Sequence, residues 1–306
     1  MKTTENYMTP AICFGEILWD VLPDGPQPGG APLNVAYHLN KMGMATSLVS
    51  KIGNDEDGKK LAQLLNNWGI KSHLLQTDEE YPTGQVIAKM NNGNEVSYEI
   101  IYPVAWDFIN YSDSITKQLQ PSTYFIYGSL ASRNETSRKT LFEILESDVI
   151  KVLDINMRPP YIGKDLLGDL LNKANIVKFN QAELEMVQML FGSTSYNEAA
   201  QVKFIQYHFN IPEVIITKGE FGASYYKNDK GYHVWGSEVK VVDTIGSGDS
   251  FLAAFLAGHY LHEEPLVILK NAIAMGGFIA TRKGGCPDYQ LSEYNVFREK
   301  IFKTKL

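Results

Sequence analysis

LNVAYHLNKMGMATSLVSKIGNDEDGKKLAQLLNNWG, residues 33–69, decides the fold. Its first segment, 33–43, spaces apolar residues at helical intervals and stops at Gly43. TSLVSKI (46–52) reads as a strand. DEDGKKLAQLLNNWG (55–69) reads as a second helix, acidic in its first turn and closed by Gly69. Upstream, the apolar run AICFGEIL (11–18) is expected as a first strand, ending at the Gly/Pro-rich loop PDGPQPGGAP (23–32). Strand, helix, strand, helix is the order of parallel βαβ units.

Downstream the rhythm breaks. TGQVIAKM (83–90) and EVSYEIIY (95–102) flank Asn91-Asn92-Gly93-Asn94, the pattern of a hairpin. A hairpin between βαβ units must leave the main sheet, so it reads as a small lid. Alternation resumes with strands at 123–129, 149–156, 175–179 and 213–219, separated by helices near 134–147, 163–173, 181–191 and 195–209. GASYYK (222–227) and YHVWG (232–236) pair across Asn228 to Gly231 as a second hairpin, EVKVVDT (238–244) is expected as a strand, and the last third is mostly helical. No repeat, low-complexity tract or long linker divides the chain, so residues 1–306 are expected as one α/β domain.

Composition narrows the function. With 28 Lys+Arg against 35 Asp+Glu the formal net charge is -7, which disfavours a broad nucleic-acid footprint. Cys13 and Cys286 are the only cysteines, too few for a disulfide scaffold or a Cys-rich zinc site. The longest apolar run, Phe251 to Leu261, is interrupted by His259 and reads as a buried helix rather than a membrane span. MKTTENYMTP does not resemble a signal peptide, so a cytoplasmic protein is expected.

The chemistry concentrates in VKVVDTIGSGDSFLAAFLAG, residues 239–258. Gly246-Ser247-Gly248-Asp249 leads straight into an apolar helix. Glycines permit a tight bend that exposes N–H groups, and a helix N-terminus adds partial positive charge, so the turn suits a phosphate. Asp249 would repel such a ligand unless it served as a general base for a hydroxyl in line with a transferred phosphoryl group. On the tetrapeptide alone, a turn with an Asp cap is the simpler reading. Neither G-x-x-x-x-G-K-[ST] nor a G-x-G-x-x-G after the first strand is present, which excludes a P-loop and leaves a dinucleotide site unsupported.

DTIGSGDSF resembles the D-T-x-G-[AS]-G-D signature of the PfkB/ribokinase family of carbohydrate kinases. Gly29-Gly30-Ala31-Pro32-Leu33-Asn34-Val35-Ala36 is similar to that family's GG-x-x-x-N-x-A segment. Further matches follow in chain order: Gly15-Glu16-x-x-x-Asp20, Pro82-Thr83-Gly84, Asp154-x-Asn156-x-Arg158, Asn180-x-x-Glu183 and Thr217-x-Gly219. The resemblance spans nearly the whole chain and implies a ribokinase-like three-layer α/β sandwich, with a mostly parallel central sheet and a β lid from about 17–34 and 82–108.

The resemblance also implies roles. Asp249 would be the base, with Gly246, Ser247 and Gly248 donating N–H groups to the transferred phosphoryl. Arg158 would bridge phosphate oxygens or distal sugar hydroxyls, the alternative being a surface salt bridge. Asp20, Gly29, Gly30, Asn34, Thr83 and Asn156 would approach the sugar, and Trp106 would stack on it, unless the lid residues form a dimer contact instead. Asn180, Thr217, Gly219 and Asn271 would serve the nucleotide. Glu183 would steer Mg²⁺ through water, although Asn180 and Glu183 also have capping-box spacing. Asp243, with carbonyls near Ile245, Ile279, Arg282 and Gly284, resembles the family's K⁺ site, and K⁺ dependence stays open. The six histidines have no metal-ligand spacing. The expected activity is ATP- and Mg²⁺-dependent phosphorylation of a small sugar at a primary hydroxyl, D-fructose above all, because GEILWDVLP, GGAPLN and DINMR resemble the fructokinase-like branch. Alternatives are another acceptor (2-keto-3-deoxygluconate, ribose or a nucleoside) and a non-catalytic binding regulator. No nucleic-acid or membrane partner is expected.

Overall fold

Strand β1 (Ala11–Phe14) shows why the molecule has three layers. All four residues are buried, Ala11 and Cys13 in one core and Ile12 and Phe14 in another. Side chains alternate along a strand, so a sheet apolar at both parities must be covered on both faces. The structure, a computed structural model, describes residues 10–22, 24–90 and 96–303.

After β1 the chain forms β2 (Leu18–Leu22), β3 (Gly25–Gly29), α1 (Ala31–Lys41), β4 (Thr46–Gly53), α2 (Glu56–Asn67), β5 (Leu75–Asp78), β6 (Gly84–Met90) and β7 (Val96–Ile100). Then come α3 (Asp113–Thr116), β8 (Tyr124–Gly128), α4 (Glu135–Leu145), β9 (Ile150–Asp154), α5 (Lys164–Lys173), β10 (Ile176–Asn180), α6 (Gln181–Leu190), α7 (Glu198–Phe209) and β11 (Glu213–Thr217). The chain closes with β12 (Ala223–Lys227), β13 (Lys230–Val234), α8 (Ser247–Tyr260), α9 (Pro265–Ala280) and α10 (Leu291–Lys303).

Among the described residues the main sheet has nine strands in the order β13-β12-β11-β10-β9-β8-β1-β4-β5, with every pairing parallel except the antiparallel β11–β12 and β12–β13 pairs. One core takes residues of α1, α2, α8 and α9; the other takes residues of α3 to α7. Strand order reverses around β1, which lies between β4 and β8. A crevice outside the carboxyl ends of the strands is expected there. A second sheet, β3-β2-β6-β7, forms the lid. Among the described residues, no helix is long and apolar enough to cross a membrane.

Three expectations are corrected. The run 11–18 is not one strand: it breaks at Gly15, whose φ of 137° suits glycine, and continues as β2 in the lid. The run 238–244 pairs with no strand. The segment lies against the end of α9 instead, its Val242 and Asp243 amides donating to the Ala280 carbonyl at 2.8 and 3.3 Å. The lid is smaller than 17–34 and 82–108, because 31–34 belong to α1 and Ala105–Phe108 form a 3₁₀ turn buried mainly in the body. The turn at Asn91 to Asn94 lies outside the described residues.

That 3₁₀ turn is fixed by a buried ion pair. Arg133 Nε and Nη2 donate to the two Asp107 oxygens at 2.6 and 2.8 Å, and the guanidinium lies 4.0 Å from the Trp106 ring centroid. Both charged side chains are fully buried. Removing one partner strands the other's charge, so Arg133→Met is expected to destabilise the fold by about 3–5 kcal/mol. A urea titration reads this as a lower midpoint at unchanged slope.

Candidate active site

A cavity of ≈ 1020 Å³ opens along the carboxyl ends of the strands. Its wall carries Glu16 after β1, Leu130 after β8, Asp154 and Arg158 at and after β9, Asn180 at the end of β10, and Thr217 at the end of β11. Helix α8 points its N-terminus at the cavity through Gly246, Gly248 and Asp249. Lid residues Val86, Tyr98 and Ile100 line it from the other side.

Gly246 has a φ of 73°, and a Cβ there would lie 2.5 Å from Gly285 Cα. Both facts demand glycine, and the resulting bend delivers Asp249 into the first turn of α8. Burial raises the Asp249 carboxyl to about pKa 6, and the nearby Asp154 adds to the effect. The bond donated by Asn34 Nδ2 to Asp249 Oδ2, 2.8 Å, and the charges of Lys178 and Arg158 pull the other way. A half-buried carboxyl tuned toward neutrality is suited to act as a general base.

Carboxylates dominate one end of the cavity. Burial pushes Asp20 up to about pKa 6, helped by Asp249 and Asp243. Glu16 rises to about 7, again chiefly by burial. Its Oε1 accepts from the Ala31 amide at 3.2 Å, while Oε2 is buried without a partner. Gly29 and Gly30 leave room for these groups. A Cβ on Gly29 would strike the Asp20 carboxylate, and one on Gly30 would strike the Glu16 carbonyl. Arg158 is the cation at this end, exposed, bonded to the Met157 carbonyl at 3.0 Å and without an ion pair of its own among the described residues. Asn156 lines the same wall with a φ of 38°.

The other end holds a buried cation. Lys178 Nζ donates to both Asp154 oxygens at 2.8 Å, and a Cβ on Gly248 would lie 3.5 Å from that nitrogen. Burial alone would strip its proton, but the Asp154 carboxylate more than compensates and raises the ammonium above its ordinary range. Beside it Asn180 caps α6 and forms the capping box with Glu183. Glu183 takes the Asn180 amide at 2.8 Å and the Met157 amide at 3.0 Å, one on each oxygen. Each oxygen keeps acceptor capacity, so the cap and a water-mediated metal contact are compatible. Among the described residues no three His, Cys, Asp or Glu side chains group to hold a metal. The Glu183 carboxylate beside Asn180 offers oxygen donors of the kind Mg²⁺ takes through its waters. Asp243 accepts from the Ile245 amide at 3.0 Å and the Gly284 amide at 2.9 Å, joining two turns beside the site. The Ile279 carbonyl there accepts from the Arg282 amide at 2.8 Å and retains a second lone pair. The available donors are oxygens, as a hard monovalent cation requires.

Several expected site residues lie elsewhere. Trp106 is fully buried beneath the lid and cannot stack on a ligand. Thr83 is a structural tie, its hydroxyl donating to Asp55 at 2.6 Å and accepting from the Gly53 amide at 3.0 Å. Asn271 is engaged with Glu263, Tyr294 and Arg298, and Gly219 opens a 3₁₀ turn beyond the cavity wall. The Ser247 amide donates to the Thr244 carbonyl at 3.2 Å and its hydroxyl to the Gly276 carbonyl at 3.0 Å, so it braces α8 against α9. Lys178, and Glu16 and Asp154 as site residues, were not anticipated.

A desolvated carboxyl beside a glycine turn and a buried ammonium suit phosphoryl transfer. Residues 25–290 match the family model described as pfkB family carbohydrate kinase, and the chain belongs to that family. It is 27% identical over 305 residues to Fructokinase-2 of Solanum lycopersicum, covering 90% of this chain and 92% of the relative. It is 29% identical over 307 residues to Probable fructokinase-5 of Arabidopsis thaliana, covering 90% and 93%. Among solved structures, the fructokinase of Vibrio cholerae O395 bound to fructose, ADP and calcium superposes with a TM-score of 0.80 at 24% identity, covering 95% of this chain and 99% of the other. A putative ribokinase II of E. coli with ATP and Mg²⁺ gives 0.83 at 21% identity, covering 95% and 99%.

Proposed function

We propose that this carbohydrate kinase moves the γ-phosphoryl group of ATP to a primary hydroxyl of D-fructose. The observation that carries the reading is Asp249, half-buried at the head of α8, tuned to about pKa 6 and facing the cavity. Asp249 takes the hydroxyl proton, the freed oxygen attacks phosphorus, the bond to the bridging oxygen breaks, and ADP leaves with that electron pair. The amides around Gly248 and the Lys178 ammonium face the oxygens on which charge gathers. Mg²⁺, placed by Asn180 and Glu183, would supply charge neutralisation on the phosphates. A K⁺ beside Asp243 would reinforce the head of α8. Lid residues Tyr98 and Ile100 would cover the sugar and exclude water.

Charge at the acceptor end favours a neutral sugar. Glu16, Asp20 and Asp249 stand against the single cation Arg158 there. An acceptor bearing its own carboxylate, such as 2-keto-3-deoxygluconate, would add a fourth acid. The relatives named fructokinase support the same choice. The proposal includes a cytoplasmic location and pairing of two copies through the lid, where β7 is an edge strand.

ADP release from purified protein tests the acceptor across fructose, ribose, 2-keto-3-deoxygluconate and a nucleoside, with and without K⁺. Fructose is expected to exceed each rival in kcat/KM by at least about tenfold, because hydroxyl-binding sites reject mismatched polyols strongly. A different best acceptor overturns the substrate and leaves the phosphotransfer reading standing.

A further inference from the structure

Asn34 sits in the first turn of α1, only 4% exposed, with its amide between two groups. Nδ2 donates to Asp249, and Oδ1 accepts from Cys286 Sγ at 3.2 Å. The backbone of Gly285 closes over that amide. A Cβ on Gly285 would lie 2.7 Å from Nδ2 and 2.8 Å from Oδ1, so only a glycine there lets the backbone pack directly on the amide.

The 285–286 segment is itself held by a buried relay. His38 Nε2 lies 2.9 Å from the Gly285 carbonyl, and Nδ1 lies 3.0 Å from the Tyr289 hydroxyl. A carbonyl only accepts, so the neutral ring carries its proton on Nε2 and Tyr289 donates to Nδ1. This backbone also meets Gly246, which bends the chain into α8. One loop therefore braces both the turn that presents Asp249 and the amide that bonds it.

The two orientations of Asn34 are not equivalent chemically. As observed, an N–H meets the carboxylate and favours its ionised form. Exchanged, a carbonyl oxygen would meet Asp249 and favour the protonated acid. The thiol at 286 is a weak donor, but in its 3.2 Å contact it meets the amide through its S–H, and it is a weak acceptor for an amide N–H in the exchanged arrangement. We infer that Cys286 is a positioning residue: its S–H selects which end of the Asn34 amide faces Asp249. The inference rests on the reading of Asp249 as the base. The other ionisable groups that bear on Asp249 (Asp154, Lys178, Arg158, Glu16 and Asp20) are untouched by a change at 286.

The test is the pH profile of fructose kcat/KM at saturating ATP for the full-length parent, Cys286→Ala and Cys286→Ser. Loss of the donor should move the acid limb of Cys286→Ala upward by about half a pH unit, a loss of about threefold at pH values near 5.5. The plateau at about pH 8 should stay within about twofold of the parent, where Asp249 is ionised in either arrangement. Cys286→Ser, which keeps an O–H donor, should restore the parent limb. Cys286→Ala with the parent profile would overturn the inference. So would an equal loss at every pH in both variants, which is the signature of packing. If the base assignment is what fails, Asp249→Asn keeps its turnover; if only the positioning fails, Asp249→Asn is inactive while Cys286→Ala titrates like the parent.

Discussion

Asp249→Asn is expected to lower kcat by about 10³–10⁴-fold while leaving ATP binding within about twofold. The substitution is isosteric and keeps the head of α8 and the Gly246 bend. It removes the one atom pair able to take a proton from a hydroxyl in line with the turn. Turnover is read by ADP release and nucleotide affinity by calorimetry, so loss of chemistry separates from loss of binding. The parent enzyme should show a matching pH dependence. The base works only when unprotonated, and burial has raised it to about pKa 6. Activity should therefore be full above that value and fall about tenfold per unit below it, an acid limb some two units higher than an ordinary aspartate would give. Full turnover by the Asn variant, or a limb near pH 4, would remove Asp249 from the reaction.

What the sequence makes legible differs between fold and site for a physical reason. Strands buried on both faces and helices with Gly stops are local signals, and nearly all of the expected parallel strands and helices form. The failures are non-local. EVKVVDT has the alternation of a strand, but its Val242 and Asp243 amides go to the Ala280 carbonyl at the end of α9 rather than to the edge strand β13. Trp106 looks like a stacking surface because a lid needs one, yet its neighbour in space is the buried Arg133, 26 residues on from Asp107. Thr83 sits in a matching motif but spends its hydroxyl on the cap of α2. The Gly246 to Asp249 turn was readable because its function is mostly backbone conformation, which glycines announce. Lys178 was readable in principle: a lone ammonium inside NIVKFN, two residues before Asn180, must find a carboxylate when that strand is buried. Its partner Asp154 stands at the equivalent end of the adjacent strand, paired in register with it.

That register gives the second large prediction. Lys178→Met is expected to reduce kcat by about 10²–10³-fold, the usual cost of removing one group that meets developing charge. The single variant has a second consequence, because it leaves Asp154 buried without its partner. An uncompensated Asp154 raises Asp249 further, so the acid limb should move upward as kcat falls. Lys178→Met combined with Asp154→Asn separates the two effects. The double variant no longer carries a stranded charge, so its stability to urea and its acid limb should return toward the parent. Its kcat should stay low, since nothing cationic then faces Gly248. A double variant with parental kcat would show that Lys178 serves only to neutralise Asp154. If kcat stays low while the limb returns, the ammonium acts on the phosphoryl oxygens, and the pair is a buried charge held in place by its counterion until substrate arrives to share it.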